Sequence, residues 1–556
     1  MRIALALSTV LVVACATVAQ HTAPSPERPQ SRYSVVNNHH APLTRPERTN
    51  FLETSHYDDV VRFLDSLKLL GANVALGSMG KTGQGRDLPY VIASRPLVST
   101  PAAAKALGRP VVYVEGNIHA GEVEGKEALQ ALVRDLVFDP HANVLDSIVL
   151  IAVPDYNADG NERFDHQARN RGAQNGPEMV GTRQTAQGIN LNRDYMRGAA
   201  PETRAALAMF NAWDPDVYVD LHTTDGSYHG YALTYAGPLG PASVLTGRWT
   251  RDTILPAIRR SMRERDGFEI FDYGDFSSQD PNAPNNSWRT YGHEPRYGSN
   301  YYGLRNRIGI LSEAFSHDPF PRRIASTYDF VQEILSYAAA HGREIVDRSR
   351  AADRMMAFWG ANRFSAKIPL RARFTTHPKS DTVLLEQLVP STDTTQSEPG
   401  VRRGMRRTGH IIPIRMPLYV EFEPTIERFL PYAWIIDAAA ADSVLPLLQL
   451  HGIAFERLSA STSAEVSTFT IDSVAHPRGS EGHNETLLTG RWSAASSRPL
   501  NAGTIIVRAG QPHGILAAYL LEPESDDGIV TWNLVDPFLG VGRQFPIQRI
   551  ERPVGK

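Results

Sequence analysis

The sequence predicts an α/β fold, with a mainly parallel mixed central sheet flanked by helices and a β-rich C-terminal domain. Three observations carry this expectation. Near-continuous apolar runs recur in the first part of the chain: PVVYV (110–114), SIVLIAV (147–153), DVYVDL (216–221) and RIGIL (307–311). Strands apolar on both faces suit a parallel sheet covered by helices. Helical periodicity alternates with them, and after about residue 360 short strand-like runs take over.

The elements follow in order. Arg2 precedes an apolar run from Ile3 to Ala14. The run is too short to span a bilayer but fits a secretory signal, read here as residues 1–19. Cys15, the only cysteine, ends the run in VVAC, which resembles a bacterial lipoprotein cleavage box. A lipid anchor at Cys15 and simple cleavage near Ala19 both stay open. Either way the expectation is export, to the periplasm, to the outer membrane as a lipoprotein, or out of the cell. One cysteine leaves no disulfides. Residues 20–50 are polar, with Pro24, Pro26 and Pro29, and read as a flexible leader.

A catalytic-type domain is expected over 51–350. Tyr57–Leu70 carries Val60, Val61, Phe63, Leu64 and Leu67 at helical spacing. Glu122–Phe138 reads as a helix with Leu129, Leu132, Val133 and Leu136 on one face. A long helical pattern from Ile324 to about Ala357 closes the domain. The β-rich domain is placed at 360–556, with runs such as IPLRARF, TVLLEQL, STFTIDSV, GTIIVRAG and GILAAYLL. AWIIDAAAADSVLPLLQLHGIAFERL reads as strand, helix, strand. Arg402–Arg407 reads as a solvated connection.

The 556 residues are 42% hydrophobic and 21% charged, with net charge −3. That is enough for more than one domain, and it gives no basic excess for nucleic acid. No segment after the signal approaches the roughly 18 apolar residues of a transmembrane span.

Chemistry concentrates at strand ends, where open α/β sheets place ligands. His119 and Glu122, three apart just after PVVYV, can reach one ion from a helix start. An isolated H-x-x-E is weak, since most are polar surface residues. His222 closes the strand DVYVDL and offers a third ligand, although a buried structural histidine is the plain alternative. Glu313 closes RIGIL, where it is either a general base or the partner of one of Arg305, Arg307, Arg322 and Arg323. GTRQTAQGINLNRDY (181–195) offers Arg183, Asn192 and Arg193, suited to carboxylate capture.

This ordered set, with NIHAGE and GINLNRD as its strongest pieces, resembles the zinc metallocarboxypeptidase family (the carboxypeptidase A type, or funnelins) over about residues 50–345. The resemblance implies one Zn2+ per chain held by His119, Glu122 and His222. It implies Glu313 as the base that takes a proton from the attacking water and passes it to the leaving amine. Asn192 and Arg193 would grip the C-terminal carboxylate of a peptide substrate. Arg183 would steady the oxyanion, with Arg171 the competing choice. Tyr291 would cap the substrate, with Tyr297, Tyr301 and Tyr302 as competitors. The family often has an acid where this chain has Asn190, an amide that can still accept from a ligand imidazole. The pocket floor is expected between Tyr291 and Arg307, among Arg296, Ser299, Asn300 and Arg305.

The expected function is an exported zinc carboxypeptidase. The alternative is a zinc amidase or deacylase acting on N-acyl amino acids or cell-wall peptides, and the third reading is a binding protein on a dead scaffold. Asp155–Gly160 opens like a calcium loop, but its twelfth position is His166, not the required Glu, so a turn is expected. Glu124 and Glu127 read as a solvated first helical turn.

Overall fold

The computed structural model describes residues 30–35, 41–172, 174–362, 364–391, 401, 404–479 and 482–552. The signal, the lipid anchor at Cys15 and much of the leader lie outside the described residues.

An eight-stranded mixed sheet organises the first part of the chain. Its strands are β1 (Ala75–Lys81), β2 (Asp87–Ala93), β3 (Val111–Gly116), β4 (Val149–Val153), β5 (Val217–Thr223), β6 (Leu233–Ala236), β7 (Ile270–Asp272) and β8 (Ile308–Ala314). Their spatial order is β1-β2-β4-β3-β5-β8-β6-β7. The middle four, β4-β3-β5-β8, are parallel, and every residue in them is buried. These are the four apolar runs of the sequence. The chain leaves β3 for β4 on one side and later returns to β5 on the other. Carboxyl ends diverge at such a switch point and open a crevice for a ligand.

The helix after β3 spans Glu124–Phe138. Leu129, Leu132 and Val133 on it are fully buried, each contributing about 1.5–3 kcal/mol. The helix lies very close to the sheet. A Cβ on Gly116 would stand 2.9 Å from the backbone of Gly125, and one on Gly125 would stand 2.6 Å from Cβ of Leu221. Glycine at both positions permits this approach and so fixes the depth of the helix start.

Several expectations are corrected. Glu124 and Glu127 are buried, not solvated. Glu127 accepts from Thr54 Oγ1 and from the Ser55 backbone and hydroxyl, each at 2.7 Å. Glu124 accepts from Thr223 and pairs with Arg323 at 3.3 Å. Helical spacing marks the apolar face but cannot show that the opposite face is also covered. The long helix is two, Phe320–Ala340 and Gly342–Ala361, joined at His341. GILAAYLL is a helix, Gly514–Leu521, buried throughout. A short run apolar on every side has no readable period, and its Leu and Ala favour the helix.

Residues expected in the leader are packed where they are described. Thr44 caps the short helix Arg45–Arg48. Glu47 pairs with Arg134 at 2.6 Å, and Arg32 pairs with Asp266 and Glu333.

The C-terminal region is β-rich. A six-stranded sheet gathers strands from Ala433 to Ile550, with the helix Ala441–Leu450 following the first of them. A separate hairpin, Lys379–Pro390 with Met405–Tyr419, joins strands Asp275–Phe276 and Trp288–Arg289 in a four-stranded sheet. The latter two belong to the first part of the chain. One apolar cluster runs through both regions, from Tyr113, Phe210 and Tyr302 to Trp434, Ile505 and Leu516. Arg407, expected in a solvated loop, is in the hairpin and pairs with Glu386 at 2.7 Å. Among the described residues, no helix is long and apolar enough to cross a membrane.

Candidate metal centre

The chain leaves β3 through Asn117, whose φ of 66° is left-handed. Its amide donates to Asp155 at 2.7 Å and to Asn161 at 3.0 Å, which holds the turn. Asp155 is thus a buried structural partner in the turn that was expected. Its carboxyl is pushed up to about 6 by burial, against Lys126 and the Asn117 hydrogen bond. The redirected chain places His119 and Glu122 over the carboxyl end of β5, where His222 projects.

Three ligand-type side chains converge there. Nδ1 of His119 lies 3.0 Å from Glu122 Oε1 and 3.1 Å from Nδ1 of His222. His222 Nδ1 lies 2.9 Å from Glu122 Oε2. One ligand atom from each lies within 4.8 Å of the others, and all three residues are buried. The far nitrogens are also engaged. His119 Nε2 lies 2.9 Å from Asn190 Oδ1, and His222 Nε2 lies 2.9 Å from Asp220 Oδ2. A tautomer with each N–H donating outward would turn both Nδ1 lone pairs to the cluster. Against burial, the charges and hydrogen bonds of Asp220 and Glu122 raise the His222 pKa well above its ordinary value. Two imidazoles and a carboxylate are a donor set that fits zinc. Burial and the nearby Arg183 lower the His119 pKa to about 3, which keeps its ring neutral, the form a metal requires. The carboxylate of Glu122 is held well below its usual range because Arg171 and the two histidines outweigh its burial.

Around this cluster is a cavity whose walls include Arg183, Arg193, Tyr273, Tyr297 and Glu313. Glu313 pairs in register with His222 across β8 and β5, so the two side chains share a face. It is 9% exposed and forms none of the arginine pairs weighed as its alternative. Arg323 pairs with Glu124 instead, Arg322 with Asp318 and Arg307 with Asp214 and Asp353. Burial pushes the Glu313 carboxyl well above its usual range, with His222 opposing and Glu122 adding.

Arg183 Nη1 lies 3.0 Å from His119 Nδ1 and 3.3 Å from Glu122 Oε1. Arg171 lies deeper, tied to Asp225 and to the carbonyls of Thr223 and Thr224. Arg193 lies over the Tyr297 ring at 4.2 Å, and its Nε is buried without a hydrogen-bond partner among the described residues. Asn192 Oδ1 accepts from Gly298 N at 2.9 Å, which fixes its amide. Its Nδ2 stands 3.2 Å from His222 Nε2. That nitrogen's proton goes to Asp220, so Nδ2 gains no acceptor there and can still donate to a ligand.

Tyr291 lines the cavity, with its hydroxyl 2.8 Å from Ser299 Oγ. Tyr301 and Tyr302 are excluded as caps, since both are core residues no more than 1% exposed. The arginines expected near the floor also point elsewhere. Arg296 pairs with Glu485 at 2.6 Å, and Arg305 donates to Asn211 at 3.0 Å. Ser299 lines the cavity, whereas Asn300 donates to the carbonyls of Gly292 and Glu294.

Sequence reasoning missed Asp220 and Glu115. Asp220 stands two residues before His222 on the same strand face, a period-two signal that was available. Glu115 accepts from the hydroxyls of Tyr195 and Tyr218 at 2.7 Å and of Tyr113 at 2.9 Å. Burial, with Asp220 beside it, pushes its carboxyl up to about 8. Only Tyr113, two residues earlier on β3, is local to Glu115; Tyr195 and Tyr218 come from distant segments, so the cluster has no complete local signature.

Fold and site define a metallopeptidase class of hydrolase, with ligands at a sheet switch point. The comparisons narrow this. Residues 60–243 match a family described as zinc carboxypeptidase, a span that holds the three ligand-type residues and ends before Glu313. Carboxypeptidase 2 of Trichophyton rubrum is 22% identical over 505 residues, covering 85% of this chain and 82% of that protein. Its counterpart from Trichophyton equinum is 24% identical over 492 residues, with the same coverage. A metallo-carboxypeptidase structure from Burkholderia cenocepacia covers 52% of this chain and 70% of its own, at 18% identity and a TM-score of 0.39. Residues 60–243 are thus similar to the zinc carboxypeptidase family, and most of the chain is similar to fungal carboxypeptidases.

Proposed function

We propose that the protein is an exported zinc carboxypeptidase that releases the C-terminal residue of peptides. The observation that carries this is the convergence of His119, Glu122 and His222 beneath a cavity walled by Arg183, Asn192, Arg193 and Glu313. His119, Glu122 and His222 would hold one zinc ion, which when bound supplies a Lewis acid that polarises water and the scissile carbonyl. Glu313 accepts the proton of the attacking water at its carboxylate and hands it to the leaving amine nitrogen. Burial raises the proton affinity of this carboxyl, and a cation bound beside it would ease its ionisation. Arg183 donates to the developing oxyanion, a contribution of about 3 kcal/mol. Arg171 is already committed to Asp225 and two carbonyls, which favours Arg183 for this role.

Arg193 and the Nδ2 of Asn192 grip the terminal carboxylate. The Tyr297 ring steadies the guanidinium, and Tyr291 covers the bound residue. Export rests on the signal-like N-terminus.

The test pairs metal analysis with an assay of amino acids released from peptides carrying free or amidated C-termini. Bound zinc with release only from free termini is expected. Release from N-acyl amino acids but not from peptides favours the deacylase reading. A zinc-free, fully active protein overturns both.

A further inference from the structure

The catalytic cavity is about 70 Å³. Pockets that enclose organic ligands hold roughly 300–1,000 Å³, so it admits the reacting end of a peptide and little more. A second cavity of about 710 Å³ is lined partly by residues next in sequence to those of the first. Asp225 lines the first, while Gly226 and Tyr228 line the second. Gly172 also lines the second, next to Arg171, which pairs with Asp225 and lies 3.5 Å from Glu122. The 225–226 segment therefore runs from one lining to the other.

The far wall of the larger cavity comes from the C-terminal region. Leu388 and Met405, on the two strands of the 379–419 hairpin, face Tyr228 and Pro281 across it. The hairpin is fixed at this position. Gly230 N donates to Leu384 O at 2.9 Å, Glu386 N to Tyr228 O at 3.0 Å, and Leu384 N to the Tyr231 hydroxyl at 3.0 Å. Arg407 joins Glu386 to the His317 carbonyl, and the Tyr228 ring stacks on His317 with centroids 4.0 Å apart. The segment it is bonded to follows His222 by only a few residues.

We propose that the paired strands Lys379–Pro390 and Met405–Tyr419 build an acyl-side subsite, which binds apolar side chains lying upstream of the scissile bond in an extended peptide. This rests on the carboxypeptidase reading of the site. With the terminal carboxylate held at Arg193, the rest of the substrate must leave the small cavity, and the 225–226 edge leads toward the larger space, where Tyr228, Pro281, Leu388 and Met405 offer apolar surface beside the polar Ser278, Gln279 and Asp280. A hairpin serving only the fold predicts no dependence on substrate length.

The test compares kcat/KM for an N-acyl dipeptide with that for peptides of the same C-terminus extended upstream by three or four residues, apolar or charged. For the wild type, apolar extension is expected to raise kcat/KM about tenfold or more. In Met405→Glu, and in the milder Leu388→Ala, the ratio of long- to short-substrate kcat/KM is expected to fall by about the same factor. Equal kcat/KM for short and long substrates in the wild type overturns the proposal. So does an equal loss on both substrates in the folded Leu388→Ala variant. Absence of release from every substrate takes down the underlying carboxypeptidase reading instead.

Discussion

Asn190 offers a sharp test of how this chain tunes its metal site. Its Oδ1 lies 2.9 Å from Nε2 of His119 and 3.0 Å from the backbone N of Asn192. Asn190→Ala removes this one oxygen, which serves both groups, at a position 3% exposed. An imidazole N–H left buried without a partner costs about 1–3 kcal/mol. Loss of such an orienting partner lowers metal affinity about 10–100-fold, and at 1.4 kcal/mol per tenfold the two ranges agree. Asn190→Asp keeps the acceptor and adds a charge, so the imidazole becomes more basic and zinc should bind more tightly than to wild type. Zinc affinity is measured by competition with a chromogenic chelator, and the melting temperature of the metal-free variants separates binding from folding. If Asn190→Ala folds normally and keeps wild-type zinc affinity, His119 does not bind through Nδ1 with Nε2 tethered, and the tautomer reasoning fails.

Three further outcomes are expected. Glu313→Gln should retain zinc while kcat falls about 10²–10⁴-fold, the usual worth of a general base; metal analysis beside steady-state kinetics checks it. Arg193→Ala should raise KM for free C-termini about 10–100-fold, from loss of a charge-assisted pair worth about 1.5–3 kcal/mol, and should narrow the preference over amidated peptides. His293 lies 3.0 Å from Asp526 and is buried. Burial alone would lower its pKa, but the hydrogen bond and charge of Asp526 raise it above the ordinary value. Its contribution to stability is therefore complete below about pH 6.5 and lost as pH rises through the folded-state pKa. Melting temperature should decline over that window in wild type, and a wild-type decline fully retained in His293→Gln would remove His293 as its source.

Much of the centre was legible because each candidate stands at the end of an apolar strand or in the loop between strands. His119, Glu122, His222 and Glu313 are brought together by a parallel sheet that four apolar runs announce. Arg171 against Arg183, and the four tyrosines, could not be sorted by spacing. What separates them is depth: Arg171 sinks onto carbonyls, and Tyr301 and Tyr302 sink into the core. Glu124 and Glu127 misled for a related reason. They look like ordinary helix-start acids, but residues 54–55 and Arg323, remote in sequence, fold over them. The hairpin's contact with the loop after His222 links residues about 150 apart and has no local signature.

The apolar cluster that joins Tyr113 and Phe210 to Trp434 and Leu516 bears on how the chain can be divided. Because they share this core, the two regions are expected to resist exchange or separate expression. A truncation near residue 360 would uncover the helices Pro201–Trp213 and Gly298–Leu304 where Asn211 meets Leu450 and Tyr301 meets His451, and the fragment should aggregate and not fold. The chain should instead melt as one cooperative unit, so damage in the last hundred residues would be felt at the zinc site.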